Sequence, residues 1–258
     1  MGFLTDKISE VRIALREHPL DDAALMSRAA SMSPARRFVE ALESRRPGVI
    51  AEVKRSSPSA GRIAEVDPSE RARTYEAAGA SVISVLTEER HFGGSLSDLW
   101  AVHLATSAAP VLRKDFLVHP SQLIESRAHG ADAALLISAC LSQPELGAML
   151  AAAGDLGLGV LLEAHSSEDL VKALATDARV IGVNSRDLET LEVDEGRALA
   201  LLRQVPDDRI AVFESGVSSR AHVERAVAAG ASVVLVGEAL MRAEDPAAKI
   251  GELLGGGT

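Results

Sequence analysis

In the stretch GVIAEVKRSSPSAG, residues 48–61, a carboxylate and an ammonium interrupt an otherwise apolar run. Glu52 and Lys54 are two residues apart, so on an extended chain both project from one face. Burying such charges is costly unless they are paired or used. Comparable groups end other apolar runs: Lys114, Ser138, Glu163, Asn184 with Arg186 just beyond, Glu214 with Ser215, and Gly237 with Glu238. Two lysines and at least two carboxylates brought together can move protons as general acids and bases. Lysine at its ordinary pKa of ~10.4 is a poor acid at neutral pH; burial beside other cations would lower that value, and this is the expectation for these lysines. Glu52–Lys54 alone could be a structural ion pair, but the recurrence of such residues at run after run argues for use.

Two further run ends have the composition of an anion site. Ser215-Gly216-Val217 and Val236-Gly237-Glu238 each precede a helical pattern, and glycine there lets backbone N–H groups approach a phosphate. Ser57 and Ser59 could add hydroxyl donors; the alternative is that these glycines only turn the chain. The seven histidines are scattered without metal-ligand spacing, His165 being nearest a run end, and Gly93-Gly94 lacks the Lys-Ser/Thr of a P-loop. No metal and no cofactor is expected. Phe92 and Phe116 stand beside run ends in a chain with only 3% aromatic residues, either as ordinary packing or as the wall of a pocket for a ring.

Something must bring these residues together. The phrases AAGASVISVL, AHGADAALLI and AAGASVVLVG, from Ala77, Ala128 and Ala228, each read as a helix stopped by glycine and followed by a buried strand. With that unit, strands fall near 48–54, 81–86, 109–114, 132–138, 159–163, 179–184, 209–215 and 232–237, each followed by a helical pattern. Eight such units predict an α/β fold, a (β/α)8 TIM barrel, whose active site gathers at the C-terminal strand ends. A doubly wound open sheet is disfavoured because no G-x-G-x-x-G follows the first strand. Residues 1–47 read as an N-terminal helical extension, a cap or plug with Leu4, Ile8, Val11, Leu15, Phe38 and Leu42 as packing positions, before a catalytic barrel over 48–254.

Composition narrows the function classes. The formal charge of −10 excludes nucleic acid as an expected partner, and it requires local positive charge if the substrate is anionic. No apolar run approaches the ~20 residues of a membrane span, the first residues lack a signal-peptide core, and Asp6 breaks the myristoylation pattern. A single cysteine, Cys140, excludes an internal disulfide. The expectation is a soluble cytoplasmic protein, without a membrane partner, acting as a monomer.

The blocks IAEVKRSSPSAG, ISVLTEERHFGGSL, PVLRKDF, ESRAHGADAALLI, VLLEAHS, IGVNSRDLETLEVD, ESGV and VLVGEALM, in this order, resemble indole-3-glycerol-phosphate synthase over residues 49–241. The resemblance implies a cofactor-free and metal-free barrel that converts an anionic phosphosugar, 1-(2-carboxyphenylamino)-1-deoxyribulose 5-phosphate, to indole-3-glycerol phosphate with loss of carbon dioxide and water. It implies Lys114 as the general acid at the substrate carbonyl and Lys54 as holder of the substrate carboxylate and aid to dehydration. By the same resemblance Glu163 acts in late proton transfers and Glu52 orients the network. Asn184, Arg186 and Ser215 match substrate-contacting positions, Glu214 and Glu238 stand beside them, Ser57, Gly216 and Gly237 match a phosphate site, and Phe92, Phe116 and Leu135 an apolar pocket. The chain departs from the family pattern at Ala60, Ser138, Cys140, Ser185 and Phe213. The residues alone leave open a Schiff-base aldolase, since lysine can attack a carbonyl, and a non-catalytic phosphosugar-binding barrel. Sugar-phosphate isomerisation would prefer paired aspartates, absent at the first and fifth strand ends.

Overall fold

The computed structural model describes residues 2–57, 61–63 and 65–256. Among them, eight strands close into a parallel barrel: β1 (Gly48–Val53), β2 (Val82–Leu86), β3 (Val111–Lys114), β4 (Ala133–Ile137), β5 (Gly159–Ala164), β6 (Val180–Asn184), β7 (Ile210–Glu214) and β8 (Val233–Val236). β8 pairs back onto β1 with Gly48 beside Val233, so the expected (β/α)8 architecture is present. The strands read as continuous apolar runs because both faces are buried. Ile50, Leu112, Leu135, Leu161, Val212 and Leu235 fill the barrel, while Val49, Ile83, Ala134, Leu162, Ile181 and Val234 pack beneath the outer helices. Inward parity carries to the strand ends, which is how Glu52, Lys114, Glu163, Asn184 and Glu214 come to share one mouth.

The repeated phrase marks three helix ends: Gly79, Gly130 and Gly230 have φ of 88°, 85° and 107°, the left-handed geometry that glycine supplies without strain. Helix starts are equally local. Ser142 and Glu145 form a reciprocal capping box, and Pro68, Pro120 and Pro246 open three helices.

Three helices precede β1: α1 (Phe3–Glu17), α2 (Asp22–Ala30) and α3 (Phe38–Glu43). α3 stoppers the N-terminal end of the barrel, where Phe38 and Leu42 join the interior core with Val82, Ala133 and Val180. Gly159 makes room for it, since a Cβ there would stand 2.6 Å from that of Phe38. α1 lies across the opposite end. Lys7 Nζ is 2.6 Å from Glu88 Oε1, Arg12 Nη1 is 2.9 Å from Glu145 Oε1, and Thr5 Oγ1 donates to Glu189 Oε1 at 2.6 Å. Among the described residues no helix is long and apolar enough to cross a membrane.

Candidate active site

The mouth of the barrel holds a cavity of about 370 Å³, within the range of small-molecule sites. At the end of β1, Glu52 is 3% exposed and its Oε1 lies 2.9 Å from Lys54 Nζ. The charged pair that interrupts the first strand is therefore a formed ion pair facing the cavity. Gly237, just past β8, makes that pair possible: a Cβ there would meet Glu52 Oε1 at 2.3 Å and Lys54 Nζ at 2.8 Å. Sequence reasoning gave this glycine to anion approach; clearance for Glu52 and Lys54 is a duty it did not foresee.

Lys114 is bracketed by carboxylates. Its Nζ is 3.2 Å from Glu163 Oε2 and 3.6 Å from Glu214 Oε2. Gly182 of β6 admits Glu214, whose Oε1 would lie 2.2 Å from any Cβ at that position. The electrostatics follow from this grouping. Burial alone would depress the Lys114 pKa, but Glu163, Glu214 and Glu52 outweigh it and push it upward. This corrects the expectation of a lysine lowered by neighbouring cations: the nearest charges are carboxylates. For Glu163, burial raises the pKa, yet Lys114 and His165 more than reverse that and keep it ionised. For Glu214, burial and the negative Glu163 act in the same direction and lift its pKa well above the usual carboxyl value. Lys114 and Glu163 thus form an opposed charge pair, while the same surroundings bias Glu214 toward its protonated form.

Glu163 and Lys54 stand on strands four places apart around the ring, β5 and β1, but the ion-pair partner of Glu163 is Lys114. His165, the histidine nearest a strand end, is buried with Nε2 3.0 Å from Glu163 Oε1.

Asn184 Oδ1 accepts the backbone N–H of Arg186 at 3.0 Å, and Arg186 Nη1 donates to the carbonyl of Leu191 at 2.7 Å. After β7, Ser215 and Gly216 have φ of 67° and 74°; the Ser215 carbonyl accepts from Ser185 Oγ at 3.1 Å. A non-glycine residue in the left-handed region is strained, and such strain clusters at sites of function. Ser57 is buried in a short hairpin, Ser56–Ser57 with Gly61–Arg62, and lines the cavity; Ser59 and Ala60 lie outside the described residues. Glu238 lines the rim, its carboxylate 2.9 Å from Arg242 Nε.

Phe92, Phe116 and Leu135 line one apolar wall. Phe3 of α1 completes it, edge-on to Phe116 with ring centroids 6.1 Å apart. Leu188 and Leu191, in the loop after β6, also line the cavity. Sequence reasoning missed these three, which end no strand; the available signal for the last two was a pair of leucines in the mostly polar loop SRDLETLEVD. The departures from the family pattern leave the cluster intact. Phe213 belongs to the outer core beneath the helices, not to the mouth, Ser138 Oγ donates to the carbonyl of Asp169 at 3.0 Å, and Cys140 lines a second cavity.

The family model of indole-3-glycerol phosphate synthase matches residues 3–253. The chain is 48% identical to the indole-3-glycerol phosphate synthase of Rhodococcus jostii over 246 residues, 95% of this chain and 91% of that protein. It is 47% identical to that of Mycobacterium avium over 247 residues, 95% and 90%. Among solved structures, a 3-hexulose-6-phosphate synthase superposes with a TM-score of 0.64 at 20% identity, covering 82% of this chain and all (100%) of that one. A tryptophan synthase α-subunit from Pyrococcus furiosus gives 0.61 at 20% identity, covering 82% and 99%. At that identity both likenesses concern the fold.

Proposed function

The chain belongs to the indole-3-glycerol phosphate synthase family, and on that premise we propose how its mouth closes an indole ring. The enzyme is a carboxy-lyase of tryptophan biosynthesis that converts 1-(2-carboxyphenylamino)-1-deoxyribulose 5-phosphate to indole-3-glycerol phosphate, carbon dioxide and water. The observation that carries the residue assignments is the Lys114 ammonium held between Glu163 and Glu214 at 3.2 and 3.6 Å, opposite the Glu52–Lys54 pair.

The substrate's aryl ring packs against Phe92, Phe116, Leu135 and Phe3, with its carboxylate toward Lys54 and its phosphate toward Ser57, Gly216 and Gly237. Arg186, Asn184 and Ser215 fix the sugar chain. As the ring carbon attacks the ketone, the oxygen gains alkoxide character and becomes far more basic than a neutral amine. Lys114 can then protonate it although its carboxylate neighbours raise its pKa, and its charge stabilises the developing oxyanion beforehand. Carbon dioxide leaves with its bonding electrons returned to the ring. Lys54, oriented by Glu52, protonates the departing hydroxyl, and ionised Glu163 removes the last proton as the five-membered ring becomes aromatic. An aldolase would need a neutral amine nucleophile, and the carboxylates around Lys114 oppose that form.

We further propose that residues 1–47 act as a helical extension serving the barrel of residues 48–254, and that the enzyme works as a cytoplasmic monomer. The test is indole absorbance and fluorescence appearing from the carboxyphenylamino-deoxyribulose phosphate with purified chain and no added metal or nucleotide. A borohydride-trapped lysine adduct without indole would overturn it.

A further inference from the structure

Of the three phenyl rings that line the mouth, Phe116 follows closely on β3 and is placed by that strand. The other two are not. Phe92 ends a single helical turn beyond β2, Glu89–Phe92, and Phe3 opens α1. Contacts made outside the strands must set the distance between them.

Glu88 makes those contacts. It is 4% exposed and stands outside the cavity lining. Its Oε2 accepts the backbone N–H groups of His91 at 2.6 Å and Phe92 at 3.2 Å, the N-cap arrangement that fixes the start of a helical turn. Its Oε1 takes the ammonium of Lys7 at 2.6 Å and lies 3.2 Å from His91 Nδ1. Phe3 precedes Lys7 by four residues, so both project from one face of α1. The Phe3 ring stands edge-on to that of His91, with centroids 5.0 Å apart. Burial raises the Glu88 pKa, but Lys7 and the His91 N–H outweigh it and keep the carboxylate ionised. Both oxygens therefore lead to the same wall, one through the backbone of Phe92 and one through the face of α1 that carries Phe3.

We propose that Glu88 is a positioning residue for substrate: by holding Phe92 and Lys7 on one carboxylate, it sets the spacing of the two rings that receive the substrate's aryl group. It touches no reacting atom. A carboxylate has the acceptor capacity for two N–H groups and an ammonium at once, whereas the NH₂ of glutamine would face Lys7 with another donor. The inference rests on the placement of the substrate ring proposed above.

The test compares Glu88→Ala, Glu88→Gln and Lys7→Met with the unaltered chain for KM, kcat and inhibition by inorganic phosphate. KM should rise at least about tenfold in Glu88→Ala and about three- to fivefold in the other two, with kcat within about threefold, as for an interaction made equally in ground and transition states. Glu88→Gln is the partial rescue, because its carbonyl still caps the turn that carries Phe92. Phosphate should inhibit all three as it inhibits the unaltered chain, since Ser57, Gly216 and Gly237 do not depend on Glu88. Coupling is read from a double-mutant cycle: once Phe3→Ala has removed the ring that Lys7 seats, adding Lys7→Met should raise KM no further. Additive effects overturn the proposal. So do an unchanged KM in Glu88→Ala, a loss carried by kcat, or an equal weakening of phosphate, each of which leaves Glu88 a structural cap. Phe3→Ala and Phe92→Ala separate this inference from the ring placement. Raised KM in those two with none in Glu88→Ala removes the inference alone; unchanged KM in both removes the placement and the inference together. Circular dichroism checks folding, and should Glu88→Ala misfold, Glu88→Gln and Lys7→Met decide by the same criteria.

Discussion

At the scale of single residues, what acts is the contrast between neighbouring carboxyl groups. Glu163 and Glu214 both face Lys114, yet Glu163 is held ionised and Glu214 is pushed well above the usual carboxyl range by burial and by Glu163. The signs give separate pH windows. Glu163, lowered, contributes stability that is present above the unfolded carboxyl value and lost in acid. Glu214, raised, contributes most below the unfolded value, and that part fades as pH rises toward its folded pKa, because unfolding then releases a proton. Glu214→Gln removes the second dependence. Its melting temperature should fall less than that of the unaltered chain between pH 5 and pH 7, by about 2–4 °C for each kcal/mol involved. Parallel melting curves would show that Glu214 is ionised in the folded protein. The strand-end identities of these residues were legible, since parity alone puts Leu161 with Glu163 and Leu112 with Lys114. Their protonation states were not, because the direction of a pKa shift depends on which charge stands nearest, and that is set by strands far apart in sequence.

At the scale of elements, the barrel strands were legible to within one or two residues at most ends. Parallel strands buried on both faces leave uninterrupted apolar runs, and glycine marks helix ends where only a left-handed residue fits. The destination of α1 was not legible. Ile8, Val11 and Leu15 say that the helix packs, but not at which end of the barrel. That is set by Lys7 on Glu88 and Arg12 on Glu145, pairs distant in sequence. The consequence is Phe3, which no strand-end argument could find. Phe3→Ala removes part of the wall against which the substrate ring is proposed to pack, worth about 1 kcal/mol for a half-buried phenyl ring. We expect KM to rise about five- to tenfold, with kcat little changed, as for an interaction made equally in ground and transition states. An unchanged KM would place the substrate ring elsewhere in the mouth.

At the scale of the whole molecule, a chain of formal charge −10 must admit an anionic phosphosugar. Lys54, Lys114, Arg186 and Arg242 line the mouth beside Glu52, Asp115, Glu163, Glu214 and Glu238, so an anion is held by the local placement of individual cations and not by a net positive mouth. Sulfate and inorganic phosphate should therefore compete with substrate and raise the melting temperature, by about 2.7 kcal/mol of linkage at a hundredfold excess over Kd. Noncompetitive inhibition would detach Gly216 and Gly237 from the substrate phosphate. Ring closure turns on Lys114, whose ammonium stands between both glutamates where the ketone oxygen is expected. The most direct measurement is indole formation by Lys114→Ala against the unaltered chain, at saturating substrate and with folding verified by circular dichroism. The expected result is a loss of about 10²–10⁴-fold in turnover, the scale of a missing general acid, in a chain that remains folded. Retention of more than about a tenth of the unaltered turnover would contradict it.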